Sequence, residues 1–392
     1  MRKLLGIALS VVGLLVVSSQ WSWAQKVKLY DLGTYPGGTW AAAFAINESG
    51  VVVGTGDNTY GYTDPIGIPL HGANANQFFD LGTLGGTLTG LSLDGSGCYG
   101  ISNTGMIVGQ FPTTEGNFHA FAWTAKSGLV DIGTLADIGY SGHNYSRATA
   151  VNKSGSLIVG WSGNDNYGWD ILPVVWTRKV VGTSGGPKTT WTIQKLDTTG
   201  FRAFPHSLGW WGLGVNDFGQ ITGTAWDDDT VSEPGVVWEP VPGGGWKITR
   251  LPALADYPHA HPVGINDRGE IAGRLASTDF ATESLPVFWS KDSRGGGSWH
   301  FTVLPNLPDR LWAEPYSIND SGDIVGDAYD TINWFRRATR WSTKDPNFVE
   351  LLDFPAGVAS SAQMVNNNGI VVGFYRETWN APGPKMVAVR LR

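Results

Sequence analysis

The residues of this chain with most chemistry to offer are aromatic and imidazole side chains. There are 19 Trp and 7 His in 392 residues. Flat indole faces beside Asp and Asn suit sugar rings, because CH groups stack on the π face while hydroxyls bond the polar neighbours. Trp21 and Trp23 sit in an amino-terminal leader, and eight further Trp fall inside repeated strand motifs described below. The remaining nine lie in or beside loops: Trp40, Trp161, Trp169, Trp210, Trp211, Trp226, Trp312, Trp334 and Trp379. Of the histidines, His259 and His261 flank Ala260, which puts both imidazoles on the same side of a strand. Such a pair could begin a metal site, but spacing supplies no third or fourth ligand, so no metal is expected. Asp227-Asp228-Asp229 offers oxygen ligands yet reads as a solvated acidic loop. No His-Glu-x-x-His and no phosphate-binding Gly loop occurs, and no catalytic residue and no cofactor is assigned.

These residues must be positioned by a repeat. A phrase of the form Ile-Asn-Asp-x-Gly-x-Ile-x-Gly is clearest at 265–273 and 318–326, with copies starting at Ile46, Ile101, Val151, Val215 and Val365. The second copy has Ser102 in place of Asn, and the third carries one extra residue before Gly160. Asn bonds the nearby backbone and Gly accepts the positive φ of a tight turn, so each copy reads as a β-hairpin. A second phrase, plain in Asp80-Leu81-Gly82-Thr83-Leu84 and Asp131-Ile132-Gly133-Thr134-Leu135, keeps step with the first. A third element is an apolar strand ending in Trp, as in Val174-Val175-Trp176 and Val287-Phe288-Trp289.

Seven units of four short strands, a to d, follow. The turn positions lie 47 to 64 residues apart, 47 from 319 to 366 and 64 from 152 to 216, a period that means a propeller or an array. The order of strands decides: Val27 to Gly33 is a strand d and Val387 to Leu391 a strand c, so the first strand completes the last blade and leaves no open edge at the seam. The expected fold is therefore all-β, a seven-bladed β-propeller with four antiparallel strands per blade, closed by the amino-terminal strand. In such a ring the b–c loops and the connections between blades share one face. All nine loop Trp, His259 and His261 are expected there, with His143, His206, Tyr60, Tyr62, Tyr145 and Tyr167.

Arg2 and Lys3 precede an apolar run from Leu4 to Val17 and the small residues of Ser22-Trp23-Ala24. This is a signal-peptide pattern, so residues 1–24 are expected to be removed and 25–392 to form one exported domain, periplasmic or secreted. No later stretch is long enough to span a membrane as a helix. Cys98 is the sole cysteine, so no intrachain disulfide is available, and burial as a small hydrophobe is expected. The formal charge of −7 without a basic cluster argues against nucleic acid and anionic membranes.

Asp-Leu-Gly-Thr-Leu-Gly-Gly at 80–86, Ile-Asn-Asp-Ser-Gly at 318–322 and His119-Ala120-Phe121 together resemble the bacterial extracellular repeat proteins called the HAF family. The resemblance covers essentially all of residues 25–392 and implies a secreted repeat protein; it brings no catalytic residues. The leading expectation is a non-catalytic, monomeric propeller that binds a glycan or an extracellular protein through its Trp-rich face. A polysaccharide-degrading lyase or hydrolase would instead bring His143, His206, His259 or His261 together with a Tyr or Arg in one pocket. A pure scaffold would show an evenly polar face.

Overall fold

The computed structural model describes residues 29–392 apart from Gly61, Thr83, 85–96, 165–170, 184–185, 202–212, 278–282, 293–296, 309–311, 330–334, Asp353, 356–358, 379–382 and Arg392. The strands form seven antiparallel sheets of four. The inner strands a, from blade 1 to blade 7, are Ala41–Ile46, Gly97–Ile101, Tyr145–Val151, Gly214–Val215, His259–Ile265, Trp312–Ile318 and Ala359–Val365. Each packs against the inner strands of both neighbouring blades, and blade 7 packs against blade 1, so the sheets make a closed ring. Leu29–Gly33 pairs with Lys385–Arg390, with Tyr30 opposite Ala388 and Asp31 opposite Val387, and so completes the last blade. This is the seven-bladed propeller expected from the repeat. The expected signal peptide, residues 1–24, and residues 25–28 lie outside the described residues. Among the described residues the only helical piece is a 3-10 turn, Leu135–Ile138, between blades 2 and 3. No helix there is long and apolar enough to cross a membrane.

The repeated phrases hold blade to blade. In the a–b turns the Gly residues, Gly50, Gly105, Gly155, Gly219, Gly269, Gly322 and Gly369, all have φ between 70° and 85°, which Gly alone adopts without strain. The Asn side chain does two jobs. Its Oδ1 accepts the N–H four residues on, as from Glu270 to Asn266 at 2.9 Å, while its Nδ2 donates across to the next blade. Asn216 donates to Asn266 O, Asn266 to Asn319 O, Asn319 to Asn366 O and Asn366 to Asn47 O, each at 3.0 Å. Ser102 keeps only the first job, accepting from Met106 N. The next residue extends the belt: the Asp267 N–H donates to Asp320 Oδ1, and the Asp320 N–H to Asn367 Oδ1. Lys153 of blade 3 reaches over this mouth to bond Asp267 and Asp320.

The strand-c Trp residues serve the same end. Trp238, Trp289 and Trp341 are buried and donate Nε1–H to Asp197 O, Pro252 O and Pro305 O, where the second phrase of the preceding blade ends. Buried apolar side chains fill the space between sheets, where Trp176 packs with Val108, Ala120 and Ile158. Cys98 is one of them, fully buried, and burial raises its thiol pKa well above the ordinary value.

Candidate functional site: a polar cluster on blades 4 to 7

The inner strands carry a feature the repeat does not announce. In six blades the a–b pairing slips by one residue beside the closing Gly, leaving Phe44, Tyr99, Thr149, Val263, Tyr316 or Gln363 as the extra residue of a β-bulge. A bulge re-aims a side chain. The bulged residues of blades 1 and 2, Phe44 and Tyr99, meet with ring centroids 5.9 Å apart. That of blade 3, Thr149, donates to Leu213 O of blade 4. The slip also explains the closing Gly. A Cβ on Gly54, Gly273 or Gly326 would stand 2.0 to 2.1 Å from the carbonyl oxygen of the opposing inner strand, a distance no side chain survives.

The residue after each closing Gly and its partner on strand a form a level near the b–c loop face. The pairs are Ala42–Thr55, Gly97–Gln110, Arg147–Trp161, His261–Arg274, Glu314–Asp327 and Ser361–Phe374. Polar side chains concentrate on blades 5 to 7, with Glu233 of blade 4 beside them. The Glu233 N–H donates to His259 Nδ1 at 3.1 Å, which makes that ring nitrogen an acceptor. Glu233 Oε2 stands 3.2 Å from His261 Nε2. Burial, then the charge of Arg274, push His261 well below its ordinary pKa, so its ring is neutral. The Arg274 guanidinium lies 4.6 Å over the Trp312 ring, with Nε 3.8 Å from Glu314 Oε1. Tyr316 donates to Glu314 Oε2 at 2.8 Å and stands 3.2 Å from Asp327 Oδ2. Ser361 of blade 7 donates to the same Asp327 oxygen at 2.9 Å. Burial drives the Asp327 pKa up to about 7 despite Arg336 and Ser361, and raises Tyr316 well above its usual value, helped by Asp327 and Glu314.

This is an acid–base and hydrogen-bonding network joining three successive inner strands. It contains His259, His261 and Trp312 from the sequence-derived set. The other described Trp are placed differently. Trp40 and Trp161 are buried, Trp161 beneath the Arg147 guanidinium at 5.5 Å. Trp226 is half-buried and donates to Asp228 Oδ1. Trp169, Trp210, Trp211, Trp334 and Trp379, with His206 and Tyr167, lie outside the described residues. His143 packs edge-on against Tyr140 between blades 2 and 3, away from the cluster. The exposed aromatic pair on the b–c loop face is Tyr60 and Tyr62, stacked at 6.3 Å, with both N–H groups donated to Asn58 Oδ1.

Sequence reasoning passed over Glu233, Glu314, Tyr316 and Asp327. The signal for two of them was present: Asp327 follows a closing Gly, and Glu314 precedes the bulge by two. A separate groove of 780 Å³ on the rim between blades 4 and 5 is lined by Lys247, Leu251, Leu254, Lys291 and Trp299, with Lys291 already paired to Glu239 at 2.7 Å. Among the described residues no group of His, Cys, Asp and Glu could hold a metal ion.

No family model and no curated protein matches the chain. Among solved structures it is similar to a Trypanosoma rangeli sialidase, at 13% identity and TM-score 0.45, over 92% of this chain and 55% of that one. It is also similar to AofleA from Arthrobotrys oligospora, at 13% identity and TM-score 0.42, over 84% and 90%. A fucose-specific lectin from Aleuria aurantia aligns at 12% identity and TM-score 0.41, over 83% and 99%. Likeness at this level carries no ligand and no chemistry over to this chain.

Proposed function

We propose that the protein is an exported propeller of the HAF type that binds carbohydrate at the b–c loop end of its channel, on blades 4 to 7. The observation that carries this reading is the meeting of His259, His261, Arg274, Trp312, Glu314 and Tyr316 on two neighbouring inner strands and the strand beside them. Guanidinium, imidazole, carboxylate and phenol groups together supply the donors and acceptors that sugar hydroxyls need, and an aromatic ring supports them. A glycan array probed with residues 25–392 tests it. Saturable binding that Arg274→Met weakens supports the site, and saturable binding untouched by that change removes it.

A polysaccharide-cleaving role is a second reading, favoured by one observation. Tyr316 bridges two carboxyl groups, Glu314 and Asp327, and Asp327 carries a proton near neutral pH. A proton donor paired with a carboxylate is the basic need of acid–base cleavage. New reducing ends or an unsaturated product, released from a bound polysaccharide and lost in Tyr316→Phe, would establish it. Binding without any turnover would leave the protein a lectin.

A further inference from the structure

The a–b turns and c–d hairpins share the face opposite the b–c loops, and two neighbouring blades break the repeat there. In blade 3 the pairing of Leu172–Thr183 with Gly186–Lys195 runs on from Trp176 to Thr183, whereas in blades 2, 4, 5 and 6 it stops within two residues of the strand-c Trp. Strand b of blade 3 reaches only to Leu157, opposite Thr177, with the Arg178 N–H bonded to Ser156 O. Residues 179–183 therefore stand clear of the sheet as one side of a two-stranded ribbon about 16 Å long. Val180 on it is 59% exposed. In blade 4 the third position of the Asn turn is Phe218, 67% exposed, where the other copies carry Ser49, Thr104, Ser154, Arg268, Ser321 and Asn368. The two breaks adjoin. Asp217 Oδ1 accepts the Ser154 N–H, and a Cβ on Gly219 would stand 3.5 Å from Leu157 and 3.7 Å from Pro240, which precedes the exposed Val241. Val180, Phe218 and Val241 thus make an exposed apolar corner, the mark of an interaction surface.

Charge on this face is divided. From 177 to 195 the sequence carries Arg178, Lys179, Lys188 and Lys195 and no Asp or Glu. Arg178 and Lys179 are exposed and meet no carboxylate among the described residues. The second positions of the Asn turns ring the channel mouth with Glu48, Asp217, Asp267 and Asp320 against one cation, Lys153, which pairs with the last two. Among the described residues Glu48 and Asp217 receive only N–H groups, from Asn367, Asn368 and Ser154. Unpaired cations at the rim and surplus carboxylates at the mouth make the face complementary to itself. A two-fold turn of one copy onto another lays each ribbon over the other's mouth and brings the two apolar corners together. An anionic polymer would satisfy the ribbon but be repelled by the mouth and leave Phe218 in water. We propose that the a–b face is a homodimer interface, in place of the monomer expected from the sequence: Phe218 of each copy packs on the apolar corner of the other, and Arg178 and Lys179 of each reach the other's Asp217 and Glu48. Both b–c ends stay open, so the dimer stands whether or not they bind carbohydrate.

Sedimentation equilibrium of residues 25–392 at micromolar concentrations should give a dimer. Phe218→Ser, which installs the residue type of three other turns, should weaken it roughly tenfold or more while circular dichroism and melting stay close to wild type. Charge gives the sharper test. Arg178→Glu with Lys179→Glu sets an acidic ribbon against an acidic mouth, and Asp217→Lys, the residue type blade 3 holds at that position, sets a cation against a basic ribbon. Each variant alone should dissociate. Mixed together, with one of them fluorescently labelled, they should recover a mixed dimer, because each ribbon then meets an opposite charge. Wild type that stays a monomer would overturn the proposal, whatever else the ribbon binds. A dimer that keeps its affinity in Phe218→Ser and in both charge variants would overturn the choice of face. Charge variants that dissociate alone and stay apart when mixed would overturn the pairing of ribbon with mouth.

Discussion

Asp327 shows how much one buried position can decide. Its carboxyl is fully buried and its pKa is about 7 in the folded protein against 3.8 when exposed, so the folded state holds an extra proton between those values. The sign follows from linkage: its stabilising contribution is complete below about pH 4, declines by about 1.4 kcal/mol per unit as pH rises, and is gone above about 7. Asp327→Asn cannot titrate. Denaturant unfolding at pH 5 and pH 8 should therefore show wild type losing about 3 kcal/mol more than the variant across that interval, and parallel losses would contradict the assignment. Gly273 makes a steric prediction. A Cβ there would stand 2.1 Å from His261 O, so Gly273→Ala should cost roughly 2 kcal/mol or more in urea unfolding. That Gly was legible in the sequence as a repeat mark. Its reason was not, because the close approach arises from a bulge whose extra residues, from Phe44 to Gln363, have no one residue type common to all six.

At the scale of elements, the Asn turns are the joints between blades. Asn266→Ala removes the acceptor of the Glu270 N–H and the donor to Asn319 O together, and should cost about 2 kcal/mol. Asn266→Asp keeps the acceptor and loses only the donor, so it should cost less; an Asp variant as unstable as the Ala variant would mean that the link between blades dominates. Lys153 adds an electrostatic joint from blade 3 to blades 5 and 6, where Asp267 and Asp320 hold its pKa above the usual value against the pull of burial. It is half-exposed, so Lys153→Met should lower the melting temperature only slightly, and less so in high salt. An undiminished effect in high salt would speak for packing instead. Turn chemistry was readable from Asn-x-x-Gly because its partners are four residues apart. The second bond of Asn47, Asn216, Asn266, Asn319 and Asn366 was unreadable, since its acceptor lies a whole blade away, whereas Asn152 donates to Ser154 and Ser156 of its own turn.

For the whole molecule, strand order foretold ring closure and the structure bears it out through the pairing of Leu29–Gly33 with Lys385–Arg390. Deleting Leu29–Gly33 would leave Lys385–Arg390 as an open edge, so the truncated chain should melt lower and associate further in sedimentation, whereas unchanged behaviour would make the closing strand dispensable. The candidate site was half legible. His259 and His261 stood out by type and spacing, but Glu233, Glu314 and Asp327 are brought to them from blades 4 and 6 by the ring itself, and loop position did not tell that Trp40 and Trp161 pack inward. The most direct test of the account is hydrogen–deuterium exchange of residues 25–392 with and without the best glycan from the array. Protection concentrated in His259–Ile265, Ile271–Ala276 and Trp312–Ile318 is the result expected for a site at the channel end. Protection confined to the b–c loops, such as 113–117, with those strands unchanged, would contradict it.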